Sequence, residues 1–295
     1  MTYFVGIDGG GSKIEFAVSD HELHIVERFR IEQGVNPWHS GIDQTISLLH
    51  EGLNRLEKYR SETDGLVAGI AGCFNANQFR QPILNVLRSF CANADLVGDL
   101  PTGFRAVSNA KAGIVAIAGS GSSAVLFYST GDHYLYDAVG NGGRDVGYTL
   151  AKAFERGQIA EPAKSFLADK APSLTNGSLE KTADYYHSQE VRELPRHLAA
   201  LHEDDPAFAA IKPWIDSAAD RWRFKLYGMI TKFGGVEKEL DTFPVVLNGG
   251  LWKFEYFRQQ VVNPLRAEFP HVHIVFDPAA QPVIGALRMA KDLTE

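Results

Sequence analysis

The first hundred residues alternate short apolar runs with segments in which apolar residues recur every three or four positions. Apolar runs at 3–8, 14–19 and 23–31 are joined by turns too short for a helical crossover, which predicts three antiparallel strands. An apolar stripe then predicts a helix that starts near Ser40, with Ser40 and Asp43 placed as a capping box. Further patterns predict strands at 66–71 and 95–97 and helices at 77–90 and after Asp99. The predicted order is βββαβαβα.

The same order begins again after residue 110. Runs at 114–118, 124–128 and 133–138 predict a second three-stranded meander, followed by a mostly helical stretch at 143–239 with a loop at 170–179. A strand at 245–248, a helix at 252–266, a strand at 272–276 and a helix at 282–291 complete the pattern. We therefore predict a duplicated α/β fold with a mixed five-stranded sheet in each copy. The expected domains are 1–110, joined by the final helix at 281–295, and 111–280.

Composition and charge narrow the classes of partner. Asp and Glu number 36 against 29 for Lys and Arg, a formal net charge of −7, and no basic block is present, which argues against a nucleic-acid partner. No apolar run approaches the roughly 18 residues of a membrane span, and residues 1–11 lack the features of a secretion signal. We expect a cytoplasmic protein with no membrane contact. Cys73 and Cys91, the two cysteines, are expected to be buried thiols.

In each predicted copy, one glycine-rich turn follows the first strand, at 9–13 in the first copy and at 119–122 in the second. Glycine lets backbone N–H groups approach an anion, so phosphate is the expected ligand. Lys13 follows Ser12 instead of preceding it, so the first turn is not a Walker A loop. The second turn fits a loose dinucleotide pattern, but strand-like residues follow it, which disfavours a Rossmann fold. The simpler alternative is that both are only tight hairpin turns.

Asp8 favours the phosphate hypothesis. A carboxylate at the end of an apolar strand is costly to bury unless a cation or several donors meet it, and hydrated Mg²⁺ would do so. The motifs at 6–13, 118–122 and 246–250 together resemble the phosphate-1, phosphate-2 and adenosine motifs of the actin, hexokinase and heat-shock chaperone ATPase superfamily. Within that superfamily, the chain is similar to the N-acetylglucosamine kinase and glucosamine kinase family. The resemblance extends over nearly the whole chain.

The resemblance implies a fold, a reaction and a set of ligands. The fold is a pair of ribonuclease H-like, actin-like ATPase domains with a cleft between them. The reaction is ATP-dependent phosphorylation of an amino sugar, at its 6-hydroxyl group, by a homodimer. ATP and Mg²⁺ are the implied cofactors, with Asp8 as the metal-binding residue. The implied nucleotide-binding residues are Gly10, Gly11, Ser12, Lys13, Gly119, Ser120, Gly121, Ser122, Gly249 and Gly250.

The same resemblance assigns the sugar and the proton acceptor. The loop at 34–39 matches a family loop that contacts the amino sugar, with Asn36 as a hydrogen-bonding group and Trp38 as a flat apolar wall. Alternatively, Asn36 lies in a simple turn and Trp38 in the core. Asp99 matches the family's general base, and a helix N-terminus there is expected to keep its carboxylate ionised. Its structural alternative is a helix N-cap.

Further substrate contacts are implied on the second copy. Asp145 matches an acidic residue that contacts sugar hydroxyl groups, and Gly119 and Ser120 are also placed at the substrate. The alternative for Asp145 is a salt bridge with Arg144 on a loop.

Two other function classes remain open. One is an actin-fold activator ATPase; as the resemblance implies, such proteins hold an iron–sulfur cluster at a dimer interface through cysteines. The other is a nucleotide-dependent sugar sensor without kinase turnover.

Overall fold

The computed structural model describes residues 2–74, 77–119, 121–130, 132–136, 141–175, 188–237 and 242–295. The chain divides into two compact units. Unit 1 consists of Met1–Ala110 and Ala279–Glu295, and unit 2 of Lys111–Pro278. No helix in the described ranges combines the length and the apolar character that crossing a bilayer requires.

Unit 1 contains a five-stranded sheet with the strand order β3-β2-β1-β4-β5. The outer meander is antiparallel, whereas β1, β4 and β5 run parallel to one another. The strands are β1 (Tyr3–Gly9), β2 (Ile14–Asp20), β3 (Ile25–Ile31), β4 (Thr63–Ile70) and β5 (Ala94–Val97). The helices are α1 (Pro37–Ser40), α2 (Ile42–Arg55), α3 (Asn77–Phe90), α4 (Asp99–Val107) and the C-terminal helix (Pro282–Asp292), with a 3-10 helix at Glu57–Glu62.

Each face of this sheet buries its own apolar cluster. Ile7, Phe16 and Leu66 belong to the larger cluster, to which α2 and α3 contribute Leu49 and Leu87. The C-terminal helix packs on the opposite face against β1, β4 and α4. The two faces follow from the alternation of side chains along each strand.

Unit 2 repeats the strand order of unit 1, with β8-β7-β6-β9-β10 across its sheet. The strands are β6 (Gly113–Ala118), β7 (Ser122–Phe127), β8 (His133–Tyr136), β9 (Phe243–Asn248) and β10 (Val272–Phe276). The helices are α5 (Gly143–Glu155), α6 (Ala163–Lys170), α7 (Gln189–Leu198), α8 (Pro206–Val236) and α9 (Glu255–Glu268), with 3-10 helices at Pro172–Thr175 and Gly250–Lys253. We number the C-terminal helix α10. The predicted pair of mixed five-stranded sheets is confirmed.

The local predictions differ from the structure at three places. The capping box at Ser40 is wrong: Ser40 ends α1, and Gly41, with φ of 81°, precedes α2 without a side-chain cap. Asp99 is the first residue of α4, and Gly98 is the N-cap. The single helix predicted at 252–266 is a 3-10 turn followed by α9. The predicted strand end at 137–138 and the loop at 176–179 lie outside the described residues.

Gly285 sets the distance between α10 and α4. A Cβ atom at Gly285 would overlap the carbonyl oxygen of Thr102 and lie 2.7 Å from the backbone nitrogen of Ala106. We expect Gly285→Ala to cost about 2 kcal/mol of stability, because α10 must move away from α4. Gly228→Ala is the matched control, since Gly228 lies mid-helix in α8 with open space around it; it should stabilise by about 0.5–1 kcal/mol. Equal melting temperatures for the two variants would contradict this packing.

Candidate active site

Three parallel strands of unit 1 end at one edge of the sheet. Asp8 near the end of β1 lies beside Gly69 of β4, which in turn lies beside Val97 of β5. Asp99 follows two residues later, at the first position of α4. Because the carboxyl ends of parallel strands meet at one edge, residues distant in sequence come together here, as in other open α/β sheets. We call Asp8, Asp99 and the loops at 34–38 and 71–74 the carboxylate site.

Both carboxyl groups of this site are unusually hard to ionise. Burial, together with the nearby negative charges of Asp99 and Glu15, raises the pKa of Asp8 to about 7, and the positive charge of Lys13 offsets only part of this rise. Burial also raises the pKa of Asp99 to about 6, although the backbone N–H groups of Asp99 and Leu100 act in the opposite direction. The helix N-terminus was expected to dominate at Asp99, but burial outweighs it. Asp99 is nevertheless mostly ionised at neutral pH.

The loop at 34–38 presents Trp38 to solvent. Trp38 is 58% exposed, so the alternative that it is a core residue is wrong. Its Nε1 donates to the carbonyl oxygen of Gly72 at 2.9 Å, and its ring meets Phe79 edge-on. Asn36 caps α1, where its Oδ1 accepts from the backbone nitrogen of Trp38 at 3.1 Å. In the described ranges, nothing hydrogen-bonds to the Asn36 Nδ2 group, which is therefore available to a ligand.

Gly72 is a site residue that the sequence analysis missed. Its φ is +83°, and a Cβ atom there would lie 2.6 Å from Asn36 Oδ1 and 2.7 Å from Trp38 Cδ1. Both the backbone conformation and the close approach require glycine. Two residues on, Phe74 packs on Gly98, directly before Asp99. The loop at 71–74 thus lies against both the Asn36 loop and the start of α4.

The glycine turn after β1 is tied to the same loop. The backbone nitrogen of Gly10 donates to Lys13 at 2.9 Å, and that of Val35 donates to the carbonyl oxygen of Gly10 at 2.9 Å. Gly34 approaches the backbone of Gly11 so closely that a Cβ atom would not fit. At Gly11 itself, by contrast, an added Cβ atom would meet nothing within 4 Å. Packing among the described residues therefore does not require glycine at position 11, and the space beside its backbone is open.

Unit 2 brings three glycine turns together at the carboxyl ends of β6 and β9. The nitrogen of Gly143 donates to the carbonyl oxygen of Gly119 at 2.8 Å, and Gly142 lies against the backbone of Gly121. Gly249, with φ of +110°, approaches Ala118 and Gly119. We call Gly119, Gly121, Gly142, Gly249 and Gly250 the glycine cluster. Strand β7 begins at Ser122, so no helix follows the second turn, as predicted.

The glycine cluster leaves room for a ligand. Added Cβ atoms at Gly119, Gly121 and Gly250 would meet nothing within 4 Å. Beside them, the buried Nδ2 atom of Asn248 has no hydrogen-bond partner in the described ranges. An unsatisfied buried donor is costly, and a ligand oxygen would satisfy it. Ser120, predicted at both nucleotide and substrate, lies outside the described residues.

Asp145 has a structural task within unit 2. Its Oδ2 accepts from the backbone nitrogen of Gly142 at 2.8 Å, which caps α5. Asp145 therefore lies on a helix and not on a loop, and its contact with a sugar stays a prediction. Asn141, missed by the sequence analysis, fixes the preceding turn: its Oδ1 accepts from Arg221 Nε and its carbonyl oxygen from Trp222 Nε1, both at 2.8 Å.

The glycine cluster yields a test that separates binding from folding. We expect Gly121→Ala to leave the melting temperature nearly unchanged and to weaken binding of an ATP analogue about 10-fold, because the methyl group would enter the open space at the predicted phosphate-binding turn. Gly142→Ala is the comparison, since its Cβ atom would lie 2.5 Å from the backbone of Gly121 and should lower the melting temperature. Calorimetry and thermal melts measure both. Unchanged nucleotide affinity in Gly121→Ala would remove this role.

The two cysteines lie at opposite ends of β4. Both are buried, as predicted. Cys91 Sγ contacts the carbonyl oxygen of Thr63 at the start of β4, whereas Cys73 follows the end of that strand. An eight-residue strand spans about 25 Å, so the pair cannot ligate one cluster within a chain. This separation weighs against the activator ATPase.

Similar folds are found among solved structures. No protein-family model matches the sequence, and no curated protein matches it. Among solved structures, a provisionally named N-acetylglucosamine kinase from Porphyromonas gingivalis superposes with a TM-score of 0.70 at 16% identity, over 99% of each chain. A ROK family glucokinase from Streptomyces griseus, solved with glucose and AMPPNP, gives a TM-score of 0.59 at 13% identity over 98% of this chain and 99% of its own.

A third likeness extends the comparison beyond sugar kinases. Component A of the (R)-2-hydroxyglutaryl-CoA dehydratase from Acidaminococcus fermentans gives a TM-score of 0.51 at 18% identity, over 100% of each chain. These likenesses show that the chain has the duplicated actin-like ATPase fold.

Proposed function

We propose that this protein is an ATP-dependent sugar kinase whose substrate is an amino sugar, N-acetylglucosamine or glucosamine. The observation that carries the proposal is the carboxylate site, where two half-buried carboxyl groups with raised pKa values lie at the sheet edge beside an exposed tryptophan and a free amide. Perturbed carboxyl groups of this kind are typical of functional sites. The fold likeness to sugar kinases supports the same reaction class.

In this proposal, each residue of the carboxylate site has a distinct task. Asp99 accepts the proton of the attacking sugar hydroxyl group, and a pKa of about 6 keeps it ionised yet basic at neutral pH. Asn36 Nδ2 donates to the sugar, and the exposed face of Trp38 covers its apolar side. Within unit 1, the turn at 10–13 offers backbone N–H groups and the Lys13 ammonium group to a phosphate. Within unit 2, the glycine cluster is the proposed nucleotide-binding region.

The Asp8 carboxylate is a suitable ligand for Mg²⁺. Magnesium is commonly held by one or two carboxylates together with water and substrate phosphates. Asp8 is such a carboxylate: burial, and then the negative charges of Asp99 and Glu15, raise its pKa, and a bound cation would favour its ionised form. When bound, Mg²⁺ supplies charge neutralisation at the phosphates. In the described ranges, the one group of three or more potential metal ligands is Asp20, Glu22 and His24, which lies at the end of β2 and on the turn after it, not at Asp8.

A substrate screen tests the proposal. Purified protein is incubated with Mg·ATP and, separately, N-acetylglucosamine, glucosamine or glucose, while ADP release and the mass of the sugar are followed. The expected result is ADP release that depends on an amino sugar, with a gain in mass of one phosphoryl group. ADP release that depends only on glucose would show that the substrate is glucose and not an amino sugar. ADP release without any sugar dependence would favour an ATPase, and none at all with tight sugar binding would favour a sensor.

A further inference from the structure

Glu15 is a buried acidic residue that the proposed reaction does not use. It is 6% exposed and lies on β2, directly opposite Asp8 of β1. Opposed residues of antiparallel strands project from the same face of a sheet, so both carboxylates share the face covered in part by α10. A buried carboxylate beside another one is unfavourable unless cations pair with it.

Each carboxylate oxygen of Glu15 contacts one cationic side chain. Arg28 on β3 donates from Nε to Oε1 at 2.7 Å, and its Nη2 lies 2.5 Å from the same oxygen as an ion pair. Lys13 donates from Nζ to Oε2 at 3.3 Å. Lys13 is the last residue of the glycine turn, and its carbonyl oxygen accepts from Gly10. Arg28 therefore neutralises Glu15, and the remaining oxygen of Glu15 holds the Lys13 ammonium beside the turn.

We propose that Glu15, backed by Arg28, is a positioning residue that fixes the ammonium group of Lys13 for a nucleotide phosphate. This inference rests on the proposed function. A lysine side chain has four rotatable bonds, and ordering it before the ligand arrives removes part of the entropic cost of binding. The side chain of Lys13 is 39% exposed, so it remains accessible to a phosphate while Glu15 restrains it.

The test replaces the Glu15 and Arg28 pair without changing the net charge. Glu15→Leu combined with Arg28→Leu removes one negative and one positive group, and replacing a buried ion pair by apolar residues is often tolerated. We expect affinity for Mg·AMPPNP, measured by calorimetry, to fall about 10-fold, with affinity for the sugar unchanged. In a Lys13→Met background, the same double replacement should change Mg·AMPPNP affinity less than about twofold.

A second charge-neutral pair provides the control. Glu51→Leu with Arg55→Leu removes a surface ion pair on α2 and should leave both affinities unchanged. Equal losses of affinity with and without Lys13, or tighter binding on removal of the pair, would show that Glu15 does not act through Lys13. If the unaltered protein does not bind Mg·AMPPNP, both the proposed function and this role are wrong. If it binds and the two backgrounds respond alike, only the positioning role is wrong.

Discussion

Asp99→Asn is expected to lower turnover by about 10²- to 10⁴-fold, because it removes the group that accepts the hydroxyl proton while preserving shape and size. Affinity for Mg·AMPPNP should stay close to that of the unaltered protein, since Asp99 is not assigned to the phosphates. Coupled ADP release at saturating substrates measures the first quantity and calorimetry the second. A variant with near-normal turnover would eliminate Asp99 as the base.

The pH dependence of turnover checks the same assignment. Because the pKa of Asp99 is raised to about 6, turnover at saturating Mg·ATP should fall as the pH drops below about 6 and level off above it. The residual activity of Asp99→Asn should lack this dependence. Asp95→Asn is the matched control: Asp95 lies on β5, the strand that directly precedes Asp99, and pairs with Arg80 at 2.6 Å on the surface. It should keep both the turnover and its pH dependence.

Asp8→Asn is expected to weaken nucleotide binding without changing sugar binding. Affinity for Mg·AMPPNP should fall at least about 10-fold because the proposed magnesium contact is lost, whereas affinity for the free sugar should not change. Two calorimetric titrations make the comparison. Equal loss of both ligands would contradict the separate tasks assigned to Asp8 and to the loop at 34–38.

The same variant should be more stable than the unaltered protein when no ligand is present. The pKa of Asp8 is 3.8 in the reference state and about 7 in the folded protein, so between these values the folded state holds a proton that the unfolded state releases. Stability from this group is therefore lost as the pH rises from about 4 to about 7. We expect Asp8→Asn to raise the melting temperature by about 5 °C at pH 8 and by less at pH 5.

A surface carboxylate controls for the general effect of removing charge. Asp43 is exposed on the first turn of α2, and Asp43→Asn should not show a gain that grows with pH. If Asp8→Asn is no more stable than the unaltered protein at pH 8, the burial cost assigned to Asp8 is wrong.

The sequence was sufficient for the repeated architecture because strands carry local signals. The apolar runs and short turns of each meander predicted the antiparallel strands, and the same strand order in both sheets confirms the duplication. The capping box failed because Ser40 has a competing partner: its hydroxyl group donates to the carbonyl oxygen of Asn36 and closes α1. Local motifs cannot show which of two adjacent helices a residue serves.

The residues missed by the sequence analysis depend on contacts between distant segments. Gly72 is required by the side chains of Asn36 and Trp38, and Asn141 is held by Arg221 and Trp222 of α8. Glu15 could have been noticed as a charge among the apolar residues at the start of β2, but its pairing with Arg28 depends on the register of β2 and β3. The raised pKa of Asp99 likewise reflects packing that no local pattern reports.

Calorimetric titration of the ligand-free protein with AMPPNP, with and without Mg²⁺, tests most directly whether the protein binds a magnesium triphosphate, as proposed for Asp8 and the turn at 10–13. We predict saturable binding that weakens when Mg²⁺ is chelated, and a melting temperature that rises with ligand concentration. An absence of both binding heat and thermal shift, at any concentration of Mg·AMPPNP up to several millimolar, would contradict the account.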